Sequence, residues 1–297
     1  MKTPSIAGAG SRSVQHRGCR LSYRVSGQGQ GPNVIFIHGS GLHGDGWRPQ
    51  VDELSSGFQC LTFDNRGMGA SQPFGTSITV EQMAEDALVL MDAEGWESAH
   101  VVGHSLGGLV SLQIALSARA RVRSLSLLCT FARGSEATRL TWKMFWLGLR
   151  TYVGTRRMRR RAFTEMVLPP ALQNDPDTWA DRLAPIFGHD LADHPPVVMK
   201  QLAAMRSFDA TPHLGKLAGV PALVVGARHD LIARPDVVRA LVSGLGGCRF
   251  VEFEDAAHGV TIQHAARINA LLHEHLSLTE SGRRGGPGQS RAQGSVA

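Results

Sequence analysis

The stretch Ala99-His100-Val101-Val102-Gly103-His104-Ser105-Leu106-Gly107-Gly108 constrains this chain more than any other. A short apolar run of strand type passes directly into a helical pattern from Leu106 to Ala118. The turn between them carries a glycine two residues either side of a serine. A strand that becomes a helix within so few residues forces its apex into strained backbone angles, and a side chain two positions away would collide with the turn. Gly103 and Gly107 remove those side chains, and Gly108 lets the helix pack close on the sheet. Turns of this kind stand at the carboxyl edge of a parallel sheet covered by helices.

The rest of the chain agrees with such a sheet. Val34-Ile35-Phe36-Ile37, Cys60-Leu61-Thr62-Phe63, Val122 to Leu128, Ala222-Leu223-Val224-Val225 and Arg249 to Phe253 are continuous apolar or β-rich runs. Between them lie helical patterns. Val80 to Glu94 repeats apolar residues at three- and four-residue steps behind a Thr79 cap, and Pro235 to Leu245 and His258 to Leu276 cover the last two strands. Buried strands alternating with helices predict an α/β fold with a mostly parallel central sheet flanked by helices. Residues 20–26 alternate instead, as an antiparallel leading strand does. From Ala132 to Phe208 no strand pattern appears, while aromatics, methionines and prolines are frequent. This predicts a helical cap, or lid, over residues 132–208, inserted into a core of residues 13–131 and 209–278. Residues 1–12 and 279–297 read as a loose leader and a low-complexity tail.

Composition narrows the function classes. Of 297 residues, 42% are hydrophobic and 19% charged, enough apolar matter for a large core and too much for a disordered chain. The formal charge of +6 is concentrated in Arg156, Arg157, Arg159, Arg160 and Arg161 and in Arg283, Arg284 and Arg291, with no motif that reads nucleic acid. The first group is either a solvated helix face or a means of drawing anionic substrates to the site mouth. The four cysteines are scattered, without zinc or dithiol spacing, and Cys60 and Cys129 fall in apolar runs as small core residues. Met1 to Val14 lacks the apolar stretch of a secretory signal, and no run is long enough to span a membrane. A cytoplasmic monomer or homodimer acting on a small molecule, without membrane or nucleic-acid partner, is the expectation.

The turn places the Ser105 hydroxyl at the sheet edge, near the positive end of the following helix. A serine needs a base to act as a nucleophile. Among thirteen histidines, His258 follows the last strand in Asp255-Ala256-Ala257-His258-Gly259, at that same edge. The third member must be a carboxylate beyond another strand. Asp230 follows Val224-Val225-Gly226-Ala227-Arg228-His229, whereas Glu254 and Asp255 stand too near His258 along the chain. An oxyanion hole needs two backbone N–H groups, expected from Leu106 and from Ser40 of His38-Gly39-Ser40-Gly41, with Gly41 the second choice. One such donor is worth about 3–4 kcal/mol in the transition state. Gly41, Trp47, Leu106, Trp142, Trp146 and Met166 are candidates for the pocket wall, each equally readable as core. His38, Asp64 and Arg66 read as structural, His38 fixing its loop by hydrogen bonds.

These motifs, in this order, resemble the α/β-hydrolase superfamily over about residues 15–278: His38-Gly39-Ser40-Gly41, Asp64-Asn65-Arg66-Gly67-Met68-Gly69-Ala70-Ser71, Gly103 to Gly108, Gly226 to Asp230, and Ala257-His258-Gly259. The resemblance implies a Ser105–Asp230–His258 triad, acyl transfer through an acyl-enzyme, and no metal or cofactor. Around Ser105 the sequence is similar to 3-oxoadipate enol-lactonase-like members, and the serine excludes the branch with an aspartate nucleophile. Three expectations follow: hydrolysis of an ester or lactone of a small to medium apolar substrate; cleavage of a thioester or carbon–carbon bond by the same triad; or a non-hydrolytic scaffold such as a receptor or polyketide-tailoring cyclase.

Overall fold

The apolar runs form one sheet. A computed structural model describes residues 10–29, 31–73, 78–137 and 141–284. Its strands are β1 (Arg12–His16), β2 (Cys19–Ser26), β3 (Asn33–Ile37), β4 (Gln59–Phe63), β5 (Ala99–His104), β6 (Val122–Leu128), β7 (Ala222–Ala227) and β8 (Arg249–Phe253). Among the described residues they make an eight-stranded sheet in the order β1-β2-β4-β3-β5-β6-β7-β8. β1 and β2 pair antiparallel with each other, and β2 with β4; every later pairing is parallel. Every residue of β5 and β7 is buried, as expected when helices cover both faces.

The helices are α1 (Arg48–Leu54), α2 (Val80–Ala93), α3 (Leu106–Ser117), α4 (Gly134–Ala137), α5 (Trp142–Tyr152), α6 (Arg156–Val167), α7 (Pro176–Phe187), α8 (Val197–Ser207), α9 (Pro235–Leu245), α10 (Val260–Gln263) and α11 (Ala265–Arg284). α1 packs on α11, and α2 on α3. The Thr79 hydroxyl accepts from the Gln82 N–H and caps α2, as its position in the sequence predicts. Between β6 and β7 the chain leaves the sheet for α4 to α8. Thr141, Thr155 and Asp175 cap α5, α6 and α7 through the same kind of bond, which explains why this stretch breaks into short helices. It has an apolar cluster of its own, built from Val167, Leu168, Ala180, Leu183, Phe187 and Leu191.

Two boundaries differ from the sequence reading. The chain is already in a strand at Arg12, because β1 gains a full antiparallel partner in β2. At the other end α11 continues to Arg284, past residue 279, where a tail was expected. Glu280 explains the extension, since its carboxylate lies 3.0 Å from the Arg123 guanidinium on β6 and ties the last turns to the sheet. The rest of the expected loose ends, residues 1–9 and 285–297, lies outside the described residues. Among the described residues no helix is long and apolar enough to cross a membrane.

The strand order fixes where a site can form. From β3 the chain goes to β4 on one side, then crosses to β5 on the other, so the connections leaving β3 and β5 diverge. That reversal opens a crevice at the carboxyl ends of two adjacent strands.

Candidate active site

Ser105 stands at the tip of β5 with φ 55° and ψ −121°, a left-handed conformation rare for a residue with a side chain. The surroundings hold it there. Its N–H donates to the Leu128 carbonyl at 3.0 Å, and the Ser105 carbonyl accepts from the Thr130 hydroxyl at 2.7 Å. The steric reading of the glycines holds in detail. A Cβ on Gly103 would meet the Gly107 carbonyl oxygen and the Ser111 hydroxyl at 2.3 Å, and one on Gly107 would lie 2.0 Å from the Ile37 carbonyl oxygen. A Cβ on Gly108 would strike the Thr130 side chain, also at 2.3 Å. Leu106 opens α3, so its N–H is one of those a helix leaves without an intrahelical acceptor.

The loop after β3 reaches the serine because of register. Ile37 pairs with Gly103 across β3 and β5, so Gly39 and Ser105 each stand two residues beyond a matched pair. A Cβ on Gly39 would come within 3.1 Å of the Ser105 Cβ, and its absence lets the loop lie against the turn. Beyond β7 and β8, which end together at the Ala227–Phe253 pair, Asp230 and His258 face each other. His258 Nδ1 lies 2.8 Å from Asp230 Oδ2. The other carboxylate oxygen accepts from the N–H groups of Ile232 and Ala233, both at 2.8 Å. Burial pushes the Asp230 carboxyl up, but the imidazole and these two N–H groups outweigh it and hold the group below its ordinary value.

Glu254 and Asp255 do not compete for this place. The Asp255 side chain is 62% exposed and pairs with Arg267 and His264, and Glu254 is exposed. His104, which the sequence reading passed over, joins the serine turn to the histidine loop. Its Nε2 lies 2.8 Å from the His258 carbonyl oxygen, and the two rings are 4.9 Å apart. Burial, and then repulsion from His258, pushes His104 down to about 3. The neutral ring therefore carries its proton on Nε2, donated to that carbonyl. Its place beside Ser105 in the turn was the available signal.

The loop Ser40–Leu42 shows what sequence alone missed. The Ser40 hydroxyl and the Gly41 N–H both donate to Oε1 of Gln201 on α8, each at 3.0 Å. Nε2 of His189 lies 2.9 Å from the Gly41 carbonyl oxygen, and Leu42 is buried in the apolar cluster of the helical insertion. Gly41 is thus engaged at both its N–H and its carbonyl, which corrects its place as an alternative oxyanion donor and substrate contact. Nothing in the local sequence of Gln201 marks it.

Three of the proposed wall residues, Trp47, Trp142 and Trp146, are corrected in the same way. Trp47 is fully buried, with its ring stacked on His38 at 4.6 Å and tilted against Phe36 at 5.2 Å. It is core beneath the loop, and this stack holds His38 in place of the hydrogen bonds expected of it, since neither ring nitrogen finds a partner among the described residues. Met166 packs against the insertion's apolar cluster. Trp142 and Trp146 are 74% and 47% exposed and form an open aromatic surface with Phe145. Their helical spacing puts them on the outward face of α5, so they do not form an enclosed wall.

Asp64 and Arg66 hold structure. Asp64 accepts from the Gly44 and Ala70 N–H groups, both at 2.9 Å, and Arg66 forms a buried ion pair with Asp86 at 2.6 Å. The arginine cluster is not a bare solvated face. Arg156 pairs with Asp190 and Asp193, Arg157 with Asp177, Arg160 with Asp181 and Asp190, and Arg161 with Glu165. Carboxylates of the insertion itself therefore answer much of its charge.

A serine on a left-handed strand-to-helix turn, joined through His104 to the loop of a carboxylate–imidazole pair at the same edge of a mostly parallel sheet, is an arrangement of α/β enzymes. The family model described as alpha/beta hydrolase fold matches residues 32–265, and the chain belongs to that family. Relatives agree along most of their length. A protein of Variovorax paradoxus, provisionally named carbamate hydrolase RutD, is 29% identical over 265 residues, covering 86% of this chain and 96% of the relative. The solved enol-lactonase from Burkholderia xenovorans is 25% identical with a TM-score of 0.72, covering 90% of this chain and all (100%) of that one. A thermophilic esterase from Thermogutta terrifontis, at 24% identity and a TM-score of 0.75 over 91% of this chain and 99% of that one, shares the fold.

Proposed function

We propose that this protein is a serine hydrolase that cleaves an ester or lactone bond of a small to medium apolar substrate through an acyl-enzyme. Ser105 attacks the carbonyl while His258 takes its proton. Asp230 holds the imidazole with its proton on Nδ1 and stabilises the imidazolium as it forms. The N–H groups of Ser40 and Leu106 receive the oxyanion; its collapse breaks the C–O bond as His258 gives its proton to the departing alcohol oxygen. Water then attacks the acyl-enzyme by the same route, releasing the acid and the Ser105 hydroxyl.

One observation carries this reading: Asp230 Oδ2 lies 2.8 Å from Nδ1 of His258, whose carbonyl is bonded to the residue preceding a left-handed Ser105. That bond leaves Nε2 as the ring nitrogen that can accept a proton from a hydroxyl. Ser105 and His258 are both almost fully buried, which favours a compact substrate. The names of two relatives agree with attack on an acyl carbonyl, since a lactone and a carbamate each present one.

The test is labelling by a fluorophosphonate followed by turnover of a panel of p-nitrophenyl esters, lactones and thioesters. Labelling that disappears in Ser105→Ala, together with rapid ester or lactone turnover that falls about 10⁴- to 10⁶-fold in that variant, is the expected result. Turnover that survives Ser105→Ala overturns the reading. Preferential thioester turnover moves the substrate class while keeping the triad.

A further inference from the structure

We propose that Gln201 is a positioning residue for the oxyanion hole, and that through it the helical insertion sets the reactivity of Ser105. The inference rests on the serine-hydrolase reading above and concerns what keeps that hole in shape.

The Gly41 N–H can only donate, so the atom of Gln201 facing it must be the amide oxygen, and the orientation of the side chain is settled. The same oxygen takes the Ser40 hydroxyl at 3.0 Å. Two bonds to adjacent residues fix the Ser40 side chain and the peptide joining Ser40 to Gly41, and so the Ser40 Cα; the Ser40 N–H, part of the preceding peptide, is then set between that fixed Cα and Gly39. Gly41 has φ 78°, a left-handed conformation that few residues could adopt in its place. On the other side, Gly39 lies against the Ser105 Cβ. The loop is therefore held between the nucleophile's turn and α8, which is 161 residues away from Ser40 along the chain.

Gln201 is not there for packing alone. Its side chain is 0% exposed, and its Nε2 finds no acceptor among the described residues. A buried amide donor left unpaired costs about 1–3 kcal/mol, a penalty that an apolar side chain of the same volume avoids. What glutamine has and methionine lacks at this position is the oxygen that holds Ser40 and Gly41. His189, against the Gly41 carbonyl, and Leu42, in the insertion's apolar cluster, tie the same three residues to the same insertion. The oxyanion loop thus follows β3 in sequence and belongs to the insertion in space. A transition-state donor displaced by a fraction of its bond length loses most of its effect, so movement of α8 acts directly on catalysis.

The experiment compares full-length wild type, Ser40→Ala, Gln201→Met and the double variant on a p-nitrophenyl ester, with thermal unfolding and the rate of fluorophosphonate labelling measured alongside. In Gln201→Met, kcat falls about 10- to 100-fold, KM stays within about twofold, and labelling slows in step with kcat. Ser40→Ala lowers kcat less, and adds little once residue 201 is methionine, because both changes remove the same bond. Should Gln201→Met fail to fold, Gln201→Asn reads the same split, since it keeps the amide but falls one methylene short. A wild-type kcat in Gln201→Met, a loss confined to KM, or independent multiplication of the two effects overturns the proposal. Wild type that is neither labelled nor active overturns instead the serine-hydrolase reading on which it rests.

Discussion

Asp230 Oδ2 and His258 Nδ1 lie 2.8 Å apart, and the second oxygen of Asp230 is held by two backbone N–H groups of the loop that follows it. The carboxylate is thus fixed before it meets the imidazole, and the imidazole's orientation is inherited from the backbone of residues 230–233. Asp230→Asn keeps the shape but offers an amide that can favour the wrong tautomer. It is expected to lower kcat about 10⁴-fold with little change in the unfolding midpoint, measured with a p-nitrophenyl ester and by thermal unfolding.

The serine turn makes a steric prediction. In Gly107→Ala the new methyl would lie 2.0 Å from the Ile37 carbonyl oxygen, so the turn or β3 must move. A stability loss of about 1–3 kcal/mol is expected, with loss of fluorophosphonate labelling at Ser105. Gly57→Ala serves as the control, since a Cβ there meets nothing within 4 Å, and urea unfolding should place it within about 0.5 kcal/mol of wild type.

Stability should fall on acidification as soon as the pH passes below the ordinary histidine value. Burial, followed by His258, pushes His104 down to about 3, and burial, followed by Arg123, does the same to His100, against an ordinary value of 6.5. Below about pH 6.5 the unfolded chain binds protons that the folded chain refuses, so stability is full above that pH and is lost as pH falls toward 3. Each group contributes a slope of about 1.4 kcal/mol per pH unit inside that window. Urea unfolding at pH 7, 6 and 5 measures the slope, and His100→Gln should remove about half of what these two residues contribute.

The tryptophans separate core from surface. Trp47→Ala should cost about 3–5 kcal/mol, because its buried ring is stacked on His38 and tilted against Phe36. Trp142→Ala, at a site 74% exposed, should stay within about 0.5 kcal/mol and leave KM for small esters unchanged. A raised KM in Trp142→Ala would return this residue to the pocket.

Much of the candidate site's geometry could be read from the chain. Gly103, Ser105 and Gly107 were legible because the collision they avoid lies within a single turn, and the strand and helix on either side are visible in the hydrophobic pattern. Asp230 and His258 could be selected because each follows a strand, and the parallel sheet brings such loops to one edge. The pocket was not legible. Trp47 and Trp142 are the same residue type in unrelated segments, and their opposite fates depend on which neighbours cover them.

The sequence by itself determined a mostly parallel sheet covered by helices and marked three candidate residues on the loops that leave its edge, since these follow from patterns a few residues long. The strand order and its reversal came from the tertiary structure. Only the tertiary structure decided how the insertion lies on that edge. It paired Arg156, Arg157, Arg160 and Arg161 with carboxylates, and brought Gln201 and His189 onto Gly41 from 160 and 148 residues away. Contacts of that range carry no periodicity and no motif. They are fixed by how two surfaces fit, and that fit is a property of shape and polarity in three dimensions.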